Sequence, residues 1–320
     1  MEELKIVDFT QDWRCGLRDY MRKTFPEYSD SYIDYCLDNS TGTVPSKLVV
    51  TGNGEVVGCH LYYCTKAMIN GEEVETQWGH DTYLDEEYRK IIGVDFAIMR
   101  RDIPAFGVGL TDVNKKMSKL MKRIFLKGTY LYYALTPWII FSPFQKMFHL
   151  NNAVAAGESI KVKGKVYRRV TDVRDLDIPN GGYWYKDCHN LDFKRDKEFL
   201  ERRFLKCKVH EYILYSSGNS YFVVRKSSYR GMPAIMLSDF RYDPKEENSI
   251  TYLMHAVRKF AIKSHVGIVR FVCGDSEVED YMKGRLHHKT PLDFITSYKD
   301  LKDATYTLCG GDSDADFVHS

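Results

Sequence analysis

One succession of patterns is written twice along this chain: a short helix, strands joined by tight turns, a longer helix and one further strand. In the first half a helical stretch over 31–39 (SYIDYCLDN) leads to the strand KLVV, a Gly-rich turn and the strand VVGCHLYY. A second hairpin, AMINGEEVETQWGHDTYL, turns at Asn70-Gly71. An Asn-Gly pair between apolar runs suits the left-handed conformations that a two-residue turn demands. A charged turn then leads to a helix over about 93–102, the strand FGVGLT and a helix opening near Asn114. Along that helix Met117, Leu120, Met121, Ile124 and Phe125 recur at i, i+3, i+4, i+7 and i+8 as one apolar stripe. Lys115, Lys116, Lys119, Lys122 and Arg123 take its other face.

The second half repeats the order with almost none of the same residues. A helical DKEFLERRFL precedes the strand HEYILY, the turn SSGNS, the strand YFVVRK and the longer strand MPAIMLSDFRY. Ile250, Leu253, Met254, Val257 and Ala261 then mark the buried face of a helix over about 249–264, and GIVRFVCG reads as the strand after it. Such a meander leading through a helix to another strand predicts an α+β fold, here two halves, each a mostly antiparallel mixed sheet packed by helices. Residues 171–190 (TDVRDLDIPNGGYWYKDCHN) concentrate Asp, Gly and Pro, marking a connector between a first half over 1–170 and a second over 191–309. Residues 310–320 (GGDSDADFVHS) read as a loosely ordered acidic tail.

Composition narrows the function classes. Lys and Arg total 46 against 44 Asp and Glu, a net charge of +2, so the global balance demands no nucleic-acid partner. The eight cysteines show neither a C-x-x-C pair nor metal-type Cys/His spacing, which points to buried free thiols, a reducing compartment and no metal. The opening MEELKIVDFTQDW lacks the basic and apolar regions of a signal peptide, and the expected location is cytoplasmic. Between Lys127 and Lys146 lie eighteen uncharged residues, GTYLYYALTPWIIFSPFQ, which touch the length threshold for a membrane span. Pro137 and Pro143 interrupt the run and Gly128, Thr129, Ser142 and Gln145 dilute it, so it reads as a core strand with an irregular exit. A membrane-surface or partner-binding patch around 138–144 is the alternative, and a transmembrane span is not expected.

A helix N-terminus presents unpaired backbone N–H groups and the positive end of its dipole, so a loop entering one can hold a phosphate. Set between a strand and a helix, with a strand and an Asn-led helix to follow, DTYLDEEYRKIIGVDFAIM resembles the pyrophosphate loop of GNAT-type acyltransferases. That family's fingerprint runs Gln or Arg, two residues, Gly, one residue, Gly or Ala, introduced here by Tyr88-Arg89. Counted from Arg89, the glycine positions hold Ile92 and Val94; counted from Lys90, Gly93 fits and Asp95 takes the last place. FGVGLTDVNKKMSKLMKRIFLKG resembles the family's next segment, with Asn114 opening the helix along the pantetheine arm and Gly128 after it. The whole plan resembles tandem GNAT-type proteins, many of which occur in bacterial surface-polysaccharide gene clusters. The corresponding turn of the second half, in FRYDPKEENSITYL, has no glycine, so a single coenzyme site is expected, in the first half.

The resemblance implies transfer of an acetyl group from acetyl-CoA to a small-molecule amine, an amino sugar being the favoured acceptor class. It implies coenzyme contacts from Thr82, Tyr83 and Leu84 on the strand and from Arg89, Lys90, Ile91, Ile92, Gly93, Val94 and Asn114. Direct transfer needs a base for the ammonium and an acid for the departing thiolate. His80 and Asp81 are candidates for the base, and Tyr130 and Tyr132 for the acid. Asp239, Arg241, Tyr242 and Asp243, in SDFRYDP at a strand end of the second half, are candidates for acceptor contact. Lys115, Lys116 and Lys119 would by the same resemblance meet the coenzyme's ribose phosphate, and each candidate also has a purely structural reading: a hydrogen-bonded His–Asp pair, core tyrosines, a solvated lysine face, Asp112 or Asn114 as a helix cap. Two other function classes suit the same fold. One is a non-catalytic GNAT-fold binding module; the other is the related tandem transferase that uses aminoacyl-tRNA and would need a basic channel. The oligomeric state, a homo-oligomer included, is open.

Overall fold

The computed structural model describes residues 3–40, 45–101, 105–109, 112–147 and 157–313. The chain opens with β1 (Leu4–Asp8), α1 (Arg14–Thr24) and α2 (Asp30–Asn39). α2 starts where the Ser29 hydroxyl accepts the Tyr32 N–H at 3.2 Å, satisfying one of the donors a helix start leaves open. β2 (Lys47–Thr51), β3 (Val56–Ile69) and β4 (Glu72–Leu84) form the meander. The turn between β3 and β4 is the expected one, with φ of 49° at Asn70 and 89° at Gly71. α3 (Arg89–Arg101), β5 (Phe106–Val108), α4 (Asp112–Leu120) and β6 (Ile124–Leu126) follow.

Two of these elements depart from the sequence reading. α3 begins at Arg89 rather than near Gly93, because a 3-10 turn over Glu86–Tyr88 already winds the chain and Tyr88 N–H bonds Asp85 O at 3.1 Å. α4 stops at Leu120, where the stripe was expected to continue. Lys122, at φ 55°, turns the chain, Ile124 and Phe125 enter β6, and Leu120 is left exposed.

β7 (Tyr130–Leu135) leads through a 3-10 turn over Pro137–Phe141 into α5 (Ser142–Met147). The uncharged run is therefore a strand with a helical exit, and no helix among the described residues is long and apolar enough to cross a membrane. β8 (Ser159–Val162), β9 (Lys165–Val170), β10 (Leu191–Phe193), α6 (Lys197–Leu200), β11 (Tyr212–Ser217), β12 (Ser220–Tyr229) and β13 (Met232–Arg241) come next. They are followed by α7 (Ser249–Lys263), β14 (Ile268–Cys273), α8 (Ser276–Met282), β15 (His287–Pro291) and β16 (Phe294–Thr296).

The strands form two sheets, as the α+β reading expects. One runs β1-β2-β3-β4-β5-β16-β6 and the other β15-β7-β14-β13-β12-β11-β9-β8. Pairing is mostly antiparallel, with β4–β5 and β13–β14 parallel where each crossover helix returns the chain. The chain divides into a first compact unit of Met1–Lys66, Val74–Phe125 and Phe294–Lys302 and a second of Ala67–Glu73, Leu126–Asp293 and Asp303–Ser320. This division cuts across boundaries at 170 and 191. β7, β8 and β9 pair in the second sheet, β16 pairs with β5 in the first, and the connector residues Trp184 and Tyr185 lie in the second unit's core. Nor is residue 310 the start of a loose tail: Gly310–Asp312 form a buried 3-10 turn, while 314–320 lie outside the described residues.

Candidate active site

Aromatic packing sets the frame of the first unit. Trp78 stacks on Phe294 at 5.7 Å and lies 5.5 Å from Phe106, which fixes β4 against β5 at that level. Their parallel register comprises one pair, Trp78 with Phe106. Beyond it the strands diverge, and the β5-side edge of residues 79–84 has no ladder partner among the described residues. Backbone groups on such an edge are open to an extended ligand.

The pleat of β4 breaks in the same stretch. Asp81 has φ 39°, a left-handed value uncommon for a residue other than glycine and tolerated best by Asn and Asp. Alternation is lost there, as at a bulge. A Cβ on Gly79 would lie 3.4 Å from the His60 ring, and the Thr82 hydroxyl meets His60 Nδ1, so Gly79 and Thr82 share the His60 side. His80 and Asp81 both face the other way: the His80 ring stacks on Tyr63 at 3.9 Å, and Asp81 accepts a hydrogen bond from Tyr28 Oη at 2.7 Å. Two consecutive residues are thereby brought side by side, with His80 Nδ1 2.9 Å from Asp81 Oδ2.

The pair is buried, with side chains 1% and 5% exposed. Burial acts to raise the Asp81 carboxyl pKa, but hydrogen bonds from His80, Tyr28 and Cys36 outweigh it and hold the group below its ordinary value. Asp81 is therefore a carboxylate, and it fixes the imidazole with Nδ1–H toward itself. His80 Nε2 is then the acceptor nitrogen, and it is a buried atom with no hydrogen-bond partner among the described residues. Donor atoms of Cys36, His80 and Asp81 lie within 4.8 Å of one another, a spacing a metal ion also requires. Here hydrogen bonds from His80 and Cys36 to Asp81 span that space. Phe25 stacks on Tyr28 at 4.9 Å and meets the edge of Tyr83 at 6.1 Å, so half-buried aromatic faces stand beside the pair. Tyr28, Cys36 and Tyr63 are the members that sequence reasoning missed; they come from distant stretches and carry no motif.

The expected pyrophosphate loop has a different form. Arg89, Lys90, Ile91, Ile92, Gly93 and Val94 all lie in α3, whose N–H groups beyond the first turn are spent on its own carbonyls. The preceding turn, whose N–H groups at Glu86 and Glu87 are open donors, carries two carboxylates. Gly93 does not make room for a close approach: an added Cβ would find ordinary contacts at 3.8 Å to Arg89 and 4.0 Å to Leu84. Ile92 and Leu84 are core residues packed with Val49, Val57 and Phe96, while Ile91 and Val94 are exposed. Of the two cations, Arg89 is paired with Glu86 at 3.4 Å. Arg89 donates to Leu84 O at 2.8 Å and lies over the Tyr83 ring at 5.3 Å, and Lys90 is exposed. Asn114 stands in the first turn of α4, and its side chain lies outside the described residues.

Six other candidates belong to the second unit. Tyr130 and Tyr132 are on β7, paired with β14 and β15. Tyr132 is a core residue stacked on Phe271 at 4.9 Å, and burial pushes its hydroxyl pKa up, the wrong direction for a proton donor. Tyr130 is half-buried, with Lys289 Nζ 3.8 Å over its ring. Asp239, Arg241 and Tyr242 are buried and do not form an open acceptor surface. Arg195 grips Asp239 with bonds of 3.0 and 3.3 Å and also meets Asp312, while Tyr221 donates to Asp239 at 2.6 Å. Burial would raise the Asp239 pKa, but Arg195 and Arg241 hold it below the usual carboxylate value; Asp312, where burial prevails, is raised. Tyr242 donates to Asp275 at 3.0 Å, and Asp243 accepts the Lys245 N–H at 2.9 Å as a turn cap. A paired, desolvated charge network of this kind is structural.

No family model and no curated protein sequence matches the chain. Solved structures do match its fold. A conserved protein from Enterococcus faecalis described as a probable N-acyltransferase aligns with TM-score 0.60 at 9% identity, over 92% of this chain and 72% of that one. A GCN5-related N-acetyltransferase from Kribbella flavida gives TM-score 0.60 at 13% identity over 92% and 71%. The N-myristoyltransferase of Saccharomyces cerevisiae with bound myristoyl-CoA and inhibitors gives 0.53 at 11% over 92% and 80%. Likeness at such identities is a likeness of fold, and the fold is that of GNAT acyltransferases, with two mixed sheets in one chain.

Proposed function

We propose that the chain is an acyl-CoA-dependent N-acyltransferase whose site lies in the first unit, at the splayed end of β4. The observation that carries the reading is the buried, unpartnered Nε2 of His80, on an imidazole oriented by an ionised Asp81 beside the open edge of residues 79–84. Other buried polar atoms among the described residues also lack a partner; what sets Nε2 of His80 apart is its free lone pair on an imidazole held by a carboxylate, the arrangement a general base requires.

The residues present fit an extended thioester arm better than they fit the family's phosphate grip. The open edge of β4 offers backbone donors and acceptors to a pantetheine chain. Charge on a pyrophosphate would be met by the Arg89 and Lys90 side chains, since the Arg89 N–H is bonded to Glu86 O and the N–H groups beyond the first turn of α3 are used within the helix. Bound there, acyl-CoA supplies an activated acyl group. His80 would accept at Nε2 the proton that an acceptor ammonium loses; the freed nitrogen would then form the C–N bond as the thioester C–S bond breaks, and the departing thiolate would leave as a thiol with the second proton of that nitrogen. Asp81 keeps Nδ1–H in place and stabilises the imidazolium that results. Acetyl-CoA is the donor the family resemblance favours. A small cationic amine suits the carboxylate, and the faces of Phe25, Tyr28 and Tyr83 suit the apolar side of a sugar ring, which keeps an amino sugar as the acceptor class.

A second reading is favoured by the two glutamates at the open turn before α3: a GNAT-fold binding module that holds no coenzyme. One experiment separates the two. Release of free thiol from acetyl-CoA and longer acyl-CoAs is followed with a panel of amines, alongside calorimetric titration of each donor. The transferase reading expects turnover with at least one pair, and a ~10²–10⁴-fold lower kcat in His80→Gln with an unchanged donor Kd. No acyl-CoA binding at millimolar concentration, or wild-type turnover in His80→Gln, would sink it.

A further inference from the structure

The segment that follows β7 is inside out. Over residues 140–147 the buried side chains are polar, Ser142 and Gln145, whereas Ile140, Phe141, Phe144 and Met147 are 72, 51, 57 and 61% exposed. The inversion is built in. Gln145 Nε2 donates to His265 O at 2.9 Å and the Ser142 hydroxyl donates to Trp138 O at 3.3 Å, so the polar side is fastened down. Gly267 permits this seat, because a Cβ there would stand 2.3 Å from Ser142 Oγ and 2.7 Å from Ile139 Cα. Ile140, Phe144 and Met147 recur at i, i+4 and i+7, which aligns them on one outward face. Four large apolar side chains turned to solvent by anchored polar ones mark an interaction surface.

A cavity of about 450 Å³ in the same unit opens at Ile140. Its walls include the core residues Val257, Val269 and Phe271, and Leu286 on its rim is 78% exposed. Its other distinctive members are cations. Arg258 and Arg285 line it, both are exposed, and neither has a carboxylate partner among the described residues. Arg285 instead lies 3.6 Å over the Tyr281 ring. Nearby His255 feels the same field: burial lowers its pKa, and Lys163, Arg285 and Arg258 lower it further. A cavity that is apolar within and cationic at its rim, continuous with an apolar ridge, matches a ligand that is anionic at one end and aliphatic at the other.

We propose that this face of the second unit docks on an anionic phospholipid bilayer. Ile140, Phe141, Phe144 and Met147 sit at the level of the headgroups and upper acyl chains, one lipid chain enters the cavity, and Arg258 and Arg285 meet the headgroup phosphate. The complementarity is two-part, apolar and cationic, and an anionic lipid supplies both parts in one molecule.

Sedimentation of the full chain with phosphatidylcholine vesicles, with and without added phosphatidylglycerol, tests this. Binding is expected to the anionic vesicles, weakened by salt, and ~tenfold or more weaker in Phe144→Glu and in the double variant Arg258→Gln/Arg285→Gln. All three positions are exposed, so thermal melts should match wild type, and Leu286→Glu gives an independent variant at the rim. Three results would overturn the proposal. They are no binding of the wild type to anionic vesicles, binding unchanged in every variant, and a wild-type dimer on gel filtration that Phe144→Glu dissolves without any vesicle binding.

Discussion

Asp275 sits at the start of α8, where it accepts the Glu277 N–H at 2.8 Å and the Val278 N–H at 3.3 Å, together with hydroxyls from Tyr242 and Thr307. Its fifth neighbour is His189 Nε2 at 4.0 Å. Burial works to raise the Asp275 pKa, and the bonds from His189, Thr307 and Val278 bring it below the ordinary value instead. For His189 burial acts downward and the Asp275 partner prevails, leaving its pKa raised. The depressed carboxylate contributes stability that is present above its unfolded value and lost as pH falls through the folded one; the raised imidazole contributes stability that is present below its unfolded value and lost as pH rises through the folded one. Both are in force between about pH 4 and pH 6.5. Urea unfolding should therefore show His189→Gln less stable than wild type near about pH 5.5, with the gap closing near about pH 9; a gap independent of pH would reject the ion pair. Such pairs are poorly legible in sequence. His80 and Asp81 could be picked out because they are adjacent on one strand, but nothing in GHDTY announces the positive φ at Asp81 that turns both to one face. Asp239 and Arg241 misled for the opposite reason: charged residues at a strand end resemble a binding surface, and the other members of their ion-pair network, Arg195 and Asp312, come from distant parts of the sequence, Arg195 44 residues before Asp239.

At the scale of elements, α3 is the instructive case. A glycine inside a helix weakens it by roughly 0.5–1 kcal/mol relative to alanine, and Gly93 has neither a positive φ nor a crowded Cβ position to justify it. Gly93→Ala should raise the melting temperature of the first unit's transition by a few degrees, about 2–4 °C per kcal/mol, and leave acyl-CoA affinity unchanged. Loss of donor binding with no gain in stability would show that the segment opens into a phosphate loop. The correct helix start was available in the sequence: Asp85 followed by Glu86 and Glu87 is the acidic opening that a helix dipole favours. In α4 the apolar spacing was real but its length was not, because periodicity is blind to a backbone reversal such as that at Lys122. Hairpins were read well because Asn70-Gly71 states its own conformation.

For the whole molecule, the consequential feature is that sequence halves and compact units do not coincide. β16, from the end of the chain, lies between β5 and β6, and Phe294 on it stacks with both Trp78 and Phe106. Tyr298, just beyond, stacks on Phe106 at 5.4 Å. A pattern written twice predicts two contiguous domains, since local periodicity carries no information about which sheet a short strand joins. Removing Phe294–Lys302 would leave Trp78 and Phe106, two of the most buried side chains in the first unit, without a cover. In the full chain Phe294→Ala should destabilise that unit by about 3–5 kcal/mol, the usual loss when a buried ring becomes a cavity. A fragment of residues 1–125 should lack a cooperative melt and fixed aromatic circular dichroism, and the same fragment with residues 294–302 attached through a flexible linker should recover both. A cooperative transition in the shorter fragment would mean that β5 and β6 close the sheet without β16, and that the crossing strand is an addition to a unit already complete.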